Sequence, residues 1–242
     1  MQKRTGDTVK IGGNYQYKAI TEGNPVQRFW HYSKQAAIGK LLKPEPIDNV
    51  LDVGCGSGVI TSYLGMFANS ATGIDGNADA IGFAKNQFEN QKTFFLQGLV
   101  DEKFSIDTEI DKIYCLEVIE HIYYQQSFEM LKMFYNLLKK DGKVFISTPN
   151  YKSFWPLIEW LMDQTGVAPQ LLEEQHVEFY NKNKLKKLCI DVGFKIELLV
   201  TNCFAAPWIA PFSWTLAKKI DDFETSNSYL PGSIIITVLN KL

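Results

Sequence analysis

Leu51-Asp52-Val53-Gly54-Cys55-Gly56-Ser57-Gly58 decides how this chain folds. The apolar run Asn49–Val53 reads as a buried strand, and it stops at three alternating glycines. Ser57–Phe67 then reads as a helix. A strand that enters a helix through a glycine turn leaves free backbone N–H groups at the helix start. The glycines let the chain turn tightly and let a ligand come close. Spacing separates the nucleotide classes: a dinucleotide loop reads G-x-G-x-x-G, with its last glycine one position later. A phosphate loop needs a following Lys-Ser or Lys-Thr, which this stretch lacks. The next strand, Ala71–Ile74, ends in Asp75, and a carboxylate there can accept both hydroxyls of a ribose.

Working outward, the same alternation continues. Asn77 caps a helix that runs to Asn90. Thr93–Leu96, Asp111–Leu116 and Lys143–Ser147 read as strands, and Gln125–Lys140 as a helix closed by Asp141-Gly142. Upstream, Pro25–Leu42 fits an amphipathic helix ended by Pro44 and Pro46, behind a loosely ordered arm over residues 1–24. Strand–helix alternation is the signature of right-handed β-α-β units, hence an α/β fold around a parallel sheet. After Pro149 the rhythm breaks. Tyr151–Leu172 is aromatic and apolar, with Trp155, Leu157, Ile158, Leu161 and Met162 on helical spacing. A helix at Lys182–Val192, a capping Gly193 and a strand at Phe194–Val200 follow. A second apolar stretch, Phe204–Ile220, precedes the last strand, Ile234–Leu239. We read residues 25–242 as one domain, with 151–176 and 203–222 as insert segments.

Composition narrows the function. The chain has 242 residues, 45% hydrophobic and 21% charged, which excludes a disordered chain or a fibrous repeat. A net charge of −2 argues against a nucleic-acid partner, which favours a basic surplus. Aromatics are abundant, with 16 Phe, 11 Tyr and 5 Trp. Trp30 lies in the first helix and Trp155, Trp160, Trp208 and Trp214 lie in the two apolar segments, so the tryptophans point to a small, apolar or aromatic partner. Four cysteines without C-x-x-C spacing suggest a reducing cytosol, and Met1–Lys10 has no apolar signal-peptide run. The uncharged window Leu198–Ala217 holds two prolines and several polar residues, unlike a membrane-spanning helix.

The glycine loop and Asp75 together resemble the class I S-adenosylmethionine-dependent methyltransferases. The likeness covers roughly residues 26 to 200 and the final strand. Within that group the chain is most similar to the quinone-biosynthesis (ubiquinone-type) O-methyltransferases. That look is carried by Cys115-Leu116-Glu117-Val118-Ile119-Glu120-His121, Phe145-Ile146-Ser147-Thr148-Pro149-Asn150 and His176-Val177-Glu178-Phe179-Tyr180. The resemblance implies a Rossmann-like sheet of seven mostly parallel strands, the last antiparallel, with helices on both faces and an apolar helical insert after strand five. It implies S-adenosylmethionine as cofactor, with contacts at Lys34, Gly54, Asp75 and Leu116. Asp52 would then face the methionine ammonium, the loop residues Gly54, Cys55, Gly56 and Gly58 would lie under the cofactor, and Gly76 and Leu116 beside its adenine. Lys34 stands where the family often has Arg, keeping the charge without the planar fork.

Glu117, Glu120 and His121 follow the fourth strand, at the sheet edge where ligands bind in this architecture. His176 comes after the insert. Three readings of this group stay open. It could hold a divalent metal (Mg, Mn or Zn), as related methyltransferases with a Glu-x-x-Glu-His sequence do. His121 or His176 could act as a general base without metal, with Glu117 lining the cofactor pocket. Or the residues could be structural. His31, beside Trp30, reads as packing or pocket rim. The apolar segments could form an acceptor lid with shallow membrane contact, or extra core, or a homodimer interface. A non-catalytic cofactor-binding module and a nicotinamide-dependent oxidoreductase are the alternatives to a methyltransferase.

Overall fold

The computed structural model describes residues 12–101, 104–158, 176–227 and 229–242. Seven strands form one sheet: β1 (Asn49–Val53), β2 (Ser70–Asp75), β3 (Thr93–Gln97), β4 (Ile110–Leu116), β5 (Leu138–Pro149), β6 (Lys195–Asn202) and β7 (Ile234–Asn240). Their order is β3-β2-β1-β4-β5-β7-β6. β1 to β5 pair in parallel, and β7 runs antiparallel between β5 and β6. The expected architecture is therefore present, including the antiparallel last strand. The order reverses between β1 and β4, and at such a switch point the carboxyl ends of the strands open a crevice.

Period-two alternation explains why the strands are apolar on both faces. Ile113, Cys115, Val144 and Ile146 point to one face, under α5 (Tyr124–Leu137) and the helix Lys182–Val192, which we number α6. Tyr114, Phe145, Ile236 and Val238 point to the other, under α2 (Pro25–Leu41) and α3 (Val59–Gly65). α4 (Ala78–Phe88) closes over Phe95 of β3. The buried Tyr114 hydroxyl donates to the Leu42 carbonyl at 2.7 Å, so this polar atom within the apolar core is satisfied.

Three readings of the sequence change. The stretch taken as a loose arm contains a helix, α1 (Tyr15–Thr21), whose Tyr17 packs on Phe83 and Phe88 of α4 with ring centroids 5.3 and 6.1 Å away. α5 ends at Leu137 rather than Lys140, because Leu138 already pairs with Ile110 of β4. Asp141, at φ 61°, sits beside the register shift in that pairing and does not close a helix. The uncharged window is broken into separate elements, as its prolines and polar residues imply. It holds the end of β6, the short α7 (Ala206–Ile209) and the start of α8 (Trp214–Ser226). In the first insert a helical turn over Trp155–Ile158 is described, while Trp160, Leu161 and Met162 lie outside the described residues.

Buried acids fasten α7 and α8 to the domain. Glu224 accepts the N–H groups of Phe204, Ala205 and Ala206 at 2.9, 2.7 and 3.2 Å, satisfying the free donors ahead of α7. Asp221 accepts the Ser33 hydroxyl of α2 at 2.5 Å, and Ser33 accepts Asn202 Nδ2 at 2.7 Å.

Two glycines test how the loop is built. Gly58 has φ +81°, and a Cβ there would meet Phe95 at 2.7 Å and Ala84 at 2.8 Å. Gly58→Ala is expected to cost about 2 kcal/mol or more and to lower the melting temperature. Gly82, in α4, has nothing within 4 Å of its added Cβ. Gly82→Ala should stabilise by roughly 0.5–1 kcal/mol. Calorimetric melting of both variants checks the contrast, and equal effects would contradict it.

Candidate active site

A cleft of about 1410 Å³ opens at the carboxyl edge of the sheet. Small-molecule sites usually run to about 300–1,000 Å³, so this one has room for two reactants. Gly54 and Gly56, at φ +73° and +51°, form one wall. Gly54 must lack a side chain because a Cβ would come within 2.2 Å of Val118. Asp75 ties this wall together: one carboxylate oxygen accepts Gly56 N–H at 2.9 Å, the other Asn77 N–H at 2.8 Å. Each oxygen keeps a second lone pair for a ligand hydroxyl. α1 lies across the loop, with Tyr15, Gln16 and Ile20 on the cleft and Gln16 Oε1 accepting the Ser57 hydroxyl at 3.3 Å. Gly76 and Leu116 also line the cleft.

Three of the expected contact residues stand behind this wall. Asp52 is buried in β1 and accepts the Thr61 hydroxyl at 2.7 Å, so it does not face the cleft. Burial pushes its carboxyl up to about 7, assisted by the charge of Asp75 and opposed by the Thr61 hydrogen bond. Cys55 is buried against α4, and burial raises its thiol. Gly58 faces Phe95 and Ala84. These residues shape the loop from beneath. Side-chain direction at a strand end, which one sequence does not reveal, separates them from Gly54, Gly56 and Asp75.

The opposite wall starts where β4 ends. Glu117 has φ 57°, a left-handed backbone, and its N–H donates to the Ser147 carbonyl at 3.0 Å. Its carboxylate accepts the Lys34 ammonium of α2 at 3.3 Å and the Ser147 hydroxyl at 3.4 Å. Lys34 and Glu117 thus form an ion pair facing the cleft. His31, one turn before Lys34, also lines the cleft. Burial holds its imidazole well below the ordinary value, and the Lys34 charge adds to this.

Beyond Glu117, the short 3-10 turn Ile119–His121 turns Glu120 inward. The Glu120 carbonyl accepts the N–H groups of Val177 and Glu178 at 2.9 and 3.1 Å, and Glu178 accepts Tyr124 N–H at 2.9 Å. Those bonds bring His176 to His121, with ring centroids 4.9 Å apart. Glu120, His121 and His176 each offer a ligand atom within 4.8 Å of the others. Glu120 Oε2 accepts the Thr148 hydroxyl at 3.0 Å, while its buried Oε1 has no hydrogen-bond partner among the described residues. Burial and the negative charge of Glu117 push the Glu120 carboxyl upward, against the pull of His176. Tyr151 Oη lies 2.6 Å from His176 Nδ1. Of the four residues read as metal ligands, the structure joins three and gives Glu117 to Lys34 instead.

The tryptophans fall into two groups. Trp30, Trp155 and Trp208 line the cleft, and Trp30 and Trp155 lie 5.0 Å apart. Trp214 packs on Phe29 and Tyr32 at 5.0 and 5.7 Å instead. Sequence reasoning missed Gln16 and Tyr151 as site residues. No local pattern marks them, although Tyr151 directly follows Asn150, just past the end of β5.

The buried Asp52 yields a pH test. Its folded-state carboxyl binds a proton up to about pH 7, whereas an unfolded Asp releases it near 4, so its contribution to stability is lost as pH rises through that window. Asp52→Asn removes the ionisation. The melting temperature of the variant relative to the natural protein should therefore rise between about pH 4 and pH 7 and stay level above that. A difference that stays flat with pH would contradict the assignment.

Known proteins resemble this chain in sequence and in fold. The family described as "Methyltransferase domain" matches residues 25–199. A ubiquinone biosynthesis O-methyltransferase from Glaesserella parasuis is 39% identical over 108 residues, 42% of this chain and 45% of that protein. The mitochondrial ubiquinone biosynthesis O-methyltransferase of Mus musculus is 29% identical over 180 residues, covering 69% of this chain and 47% of that protein. The chain thus spans about half the length of these two relatives. Among solved structures, a SAM-dependent methyltransferase from Thermotoga maritima superposes with a TM-score of 0.65 at 18% identity, over 94% of this chain and 95% of that one. The magnesium protoporphyrin IX methyltransferase of Synechocystis, with bound SAH, gives 0.60 at 16% identity, over 95% and 94%. At such identities the structural likeness speaks for the fold. The family match, which covers well over half of the sequence, settles the affiliation: the chain belongs to the methyltransferase domain family.

Proposed function

We propose that this protein is an S-adenosylmethionine-dependent methyltransferase that methylates an oxygen of a small, apolar or aromatic acceptor. The observation that carries the reading is one cleft with two dissimilar walls: the Asp75-braced glycine loop, and the Glu120, His121 and His176 cluster edged by Trp30 and Trp155. The first wall fits the cofactor. Its ribose hydroxyls suit the remaining lone pairs of Asp75, its chain can approach Gly54 and Gly56 closely, and its carboxylate suits the Lys34 ammonium. The cofactor supplies an electrophilic sulfonium methyl. The protein's share is to align donor and acceptor in line and exclude water, which can supply much of the rate. The names of the relatives in Glaesserella and mouse support oxygen as the methylated atom.

The second wall prepares the acceptor hydroxyl, which must lose a proton. Glu120 Oε1 has no hydrogen-bond partner among the described residues, and a divalent cation would satisfy it, so Glu120, His121 and His176, with ligand atoms within 4.8 Å of one another, would be its ligands. A cation there would lower the hydroxyl pKa. Tyr151 holds His176 in place through Nδ1.

Incubation with methyl-labelled S-adenosylmethionine and 3,4-dihydroxybenzoate is expected to give an O-methylated product by mass spectrometry. A label found only on amine or carbon acceptors from a matched panel would overturn the oxygen assignment. For the cation, elemental analysis of the purified protein should show about one divalent metal per chain, depleted about tenfold or more in Glu120→Gln and His176→Ala. Metal-free protein with full turnover in chelator would favour His121 or His176 as a metal-independent base.

A further inference from the structure

Trp155 carries a hydrogen-bond donor that its surroundings leave unanswered. The residue starts the helical turn after β5. Its backbone N–H donates to Ser153 Oγ at 3.0 Å, and that hydroxyl donates to the Asn150 carbonyl at 2.6 Å. These bonds tie the residue to the end of the sheet. The side chain is only 9% exposed and lines the cleft together with Pro149 and Ile158. Its ring lies 5.0 Å from Trp30 of α2 and 6.5 Å from His176. Within this packing Trp155 Nε1 is buried and has no hydrogen-bond partner among the described residues.

An indole N–H can donate but not accept, and when buried it usually finds a partner. Leaving it unmatched costs folding free energy. Three other buried side-chain atoms lack a partner among the described residues: Glu120 Oε1, Asn202 Oδ1 and Asn240 Oδ1. All three are acceptors, and Asn202 and Asn240 do not line the cleft. Trp155 Nε1 is therefore the one unmatched donor of this group, and it stands in a cleft wall that is otherwise apolar at Trp30, Pro149 and Ile158. A single donor among apolar faces fixes the orientation of a guest. The guest must bring a lone pair. A neutral oxygen fits better than a carboxylate, because Glu117 already takes the Lys34 ammonium and Glu120 is itself an acid.

We propose that Trp155 determines specificity, its indole N–H donating to a neutral ether or carbonyl oxygen that the methyl acceptor carries in addition to the oxygen that is methylated. The inference rests on the proposed reaction for the kind of guest and adds a second, unreacting polar group to its description. Stacking on Trp30 holds the indole plane, so the donor selects among rings of equal shape by the presence of that oxygen.

Ring probes that differ by one oxygen test this without any turnover. Calorimetric titration of the full chain, with and without S-adenosylhomocysteine, compares the methoxyphenol isomers with the ethylphenol isomers of nearly equal shape. At least one methoxyphenol is expected to bind about tenfold or more tightly than its ethyl counterpart, which leaves the donor unpaired. Trp155→Phe keeps an aromatic ring against Trp30 and removes the N–H, so each pair should then bind within about twofold. An unchanged melting temperature would show that the variant folds. In the natural protein with nitrogen-15 in its indoles, one N–H signal should move downfield with the preferred methoxyphenol and stay in place with its ethyl counterpart. That readout does not depend on the variant. Equal affinity within every pair, no binding of any probe, no indole signal that moves, or a preference that persists in the folded variant would overturn the proposal. Methyl transfer without a methoxy preference would overturn this inference alone. A methoxy preference without methyl transfer would overturn the proposed reaction alone, so the two readings fail separately.

Discussion

One carboxylate holds the site in register. Asp75 ends β2 and accepts N–H donors from both the glycine loop and the start of α4. The loop can present Gly56 N–H to it because Gly54, Gly56 and Gly58 adopt left-handed conformations that other residues rarely take. The two strands beneath are locked by parallel pairing from Asn49↔Ser70 to Val53↔Ile74. Sheet register, loop conformation and the direction of the Asp75 carboxylate are thus one constraint. α1 rests on the result, because Gln16 can reach Ser57 only if the loop holds this shape.

The far wall of the cleft is built from less comfortable chemistry. Glu117 sits in a left-handed backbone conformation, its partner Lys34 is buried, and Glu120 keeps one carboxylate oxygen without a hydrogen bond among the described residues. Groups of this kind cost folding free energy and concentrate at functional sites. Their support is extensive: Ser147 and Thr148 of β5 each give a hydroxyl to one of the two glutamates, and the Glu120 carbonyl anchors the segment that carries His176. The rigid sheet edge positions the acids, and the chain after the insert completes the cluster.

Much of this was legible in the amino-acid order. Three alternating glycines and Asp75 marked one wall of the cleft, and short apolar runs marked all seven strands. The Glu-x-x-Glu-His spacing pointed to the acid cluster, and the placement of Trp30, Trp155 and Trp208 to the cleft lining. What could not be read depends on tertiary direction. Asp52 looks like a ligand contact in sequence, yet its side chain turns into the interior toward Thr61. α1 is seven residues long, too short to be stable alone, and its aromatic contact with α4 crosses more than 60 positions of sequence. Lys34 and Glu117 neutralise each other across 83 residues, a pairing that no local pattern records.

The proposed reaction depends on Asp75 anchoring the ribose of the cofactor. Isothermal titration of S-adenosylhomocysteine into the natural protein and into Asp75→Asn measures this directly. The account predicts saturable binding by the natural protein, and affinity about tenfold or more weaker in the variant, which cannot accept hydrogen bonds at both side-chain positions. No binding to the natural protein, or equal affinity in the two, would contradict it.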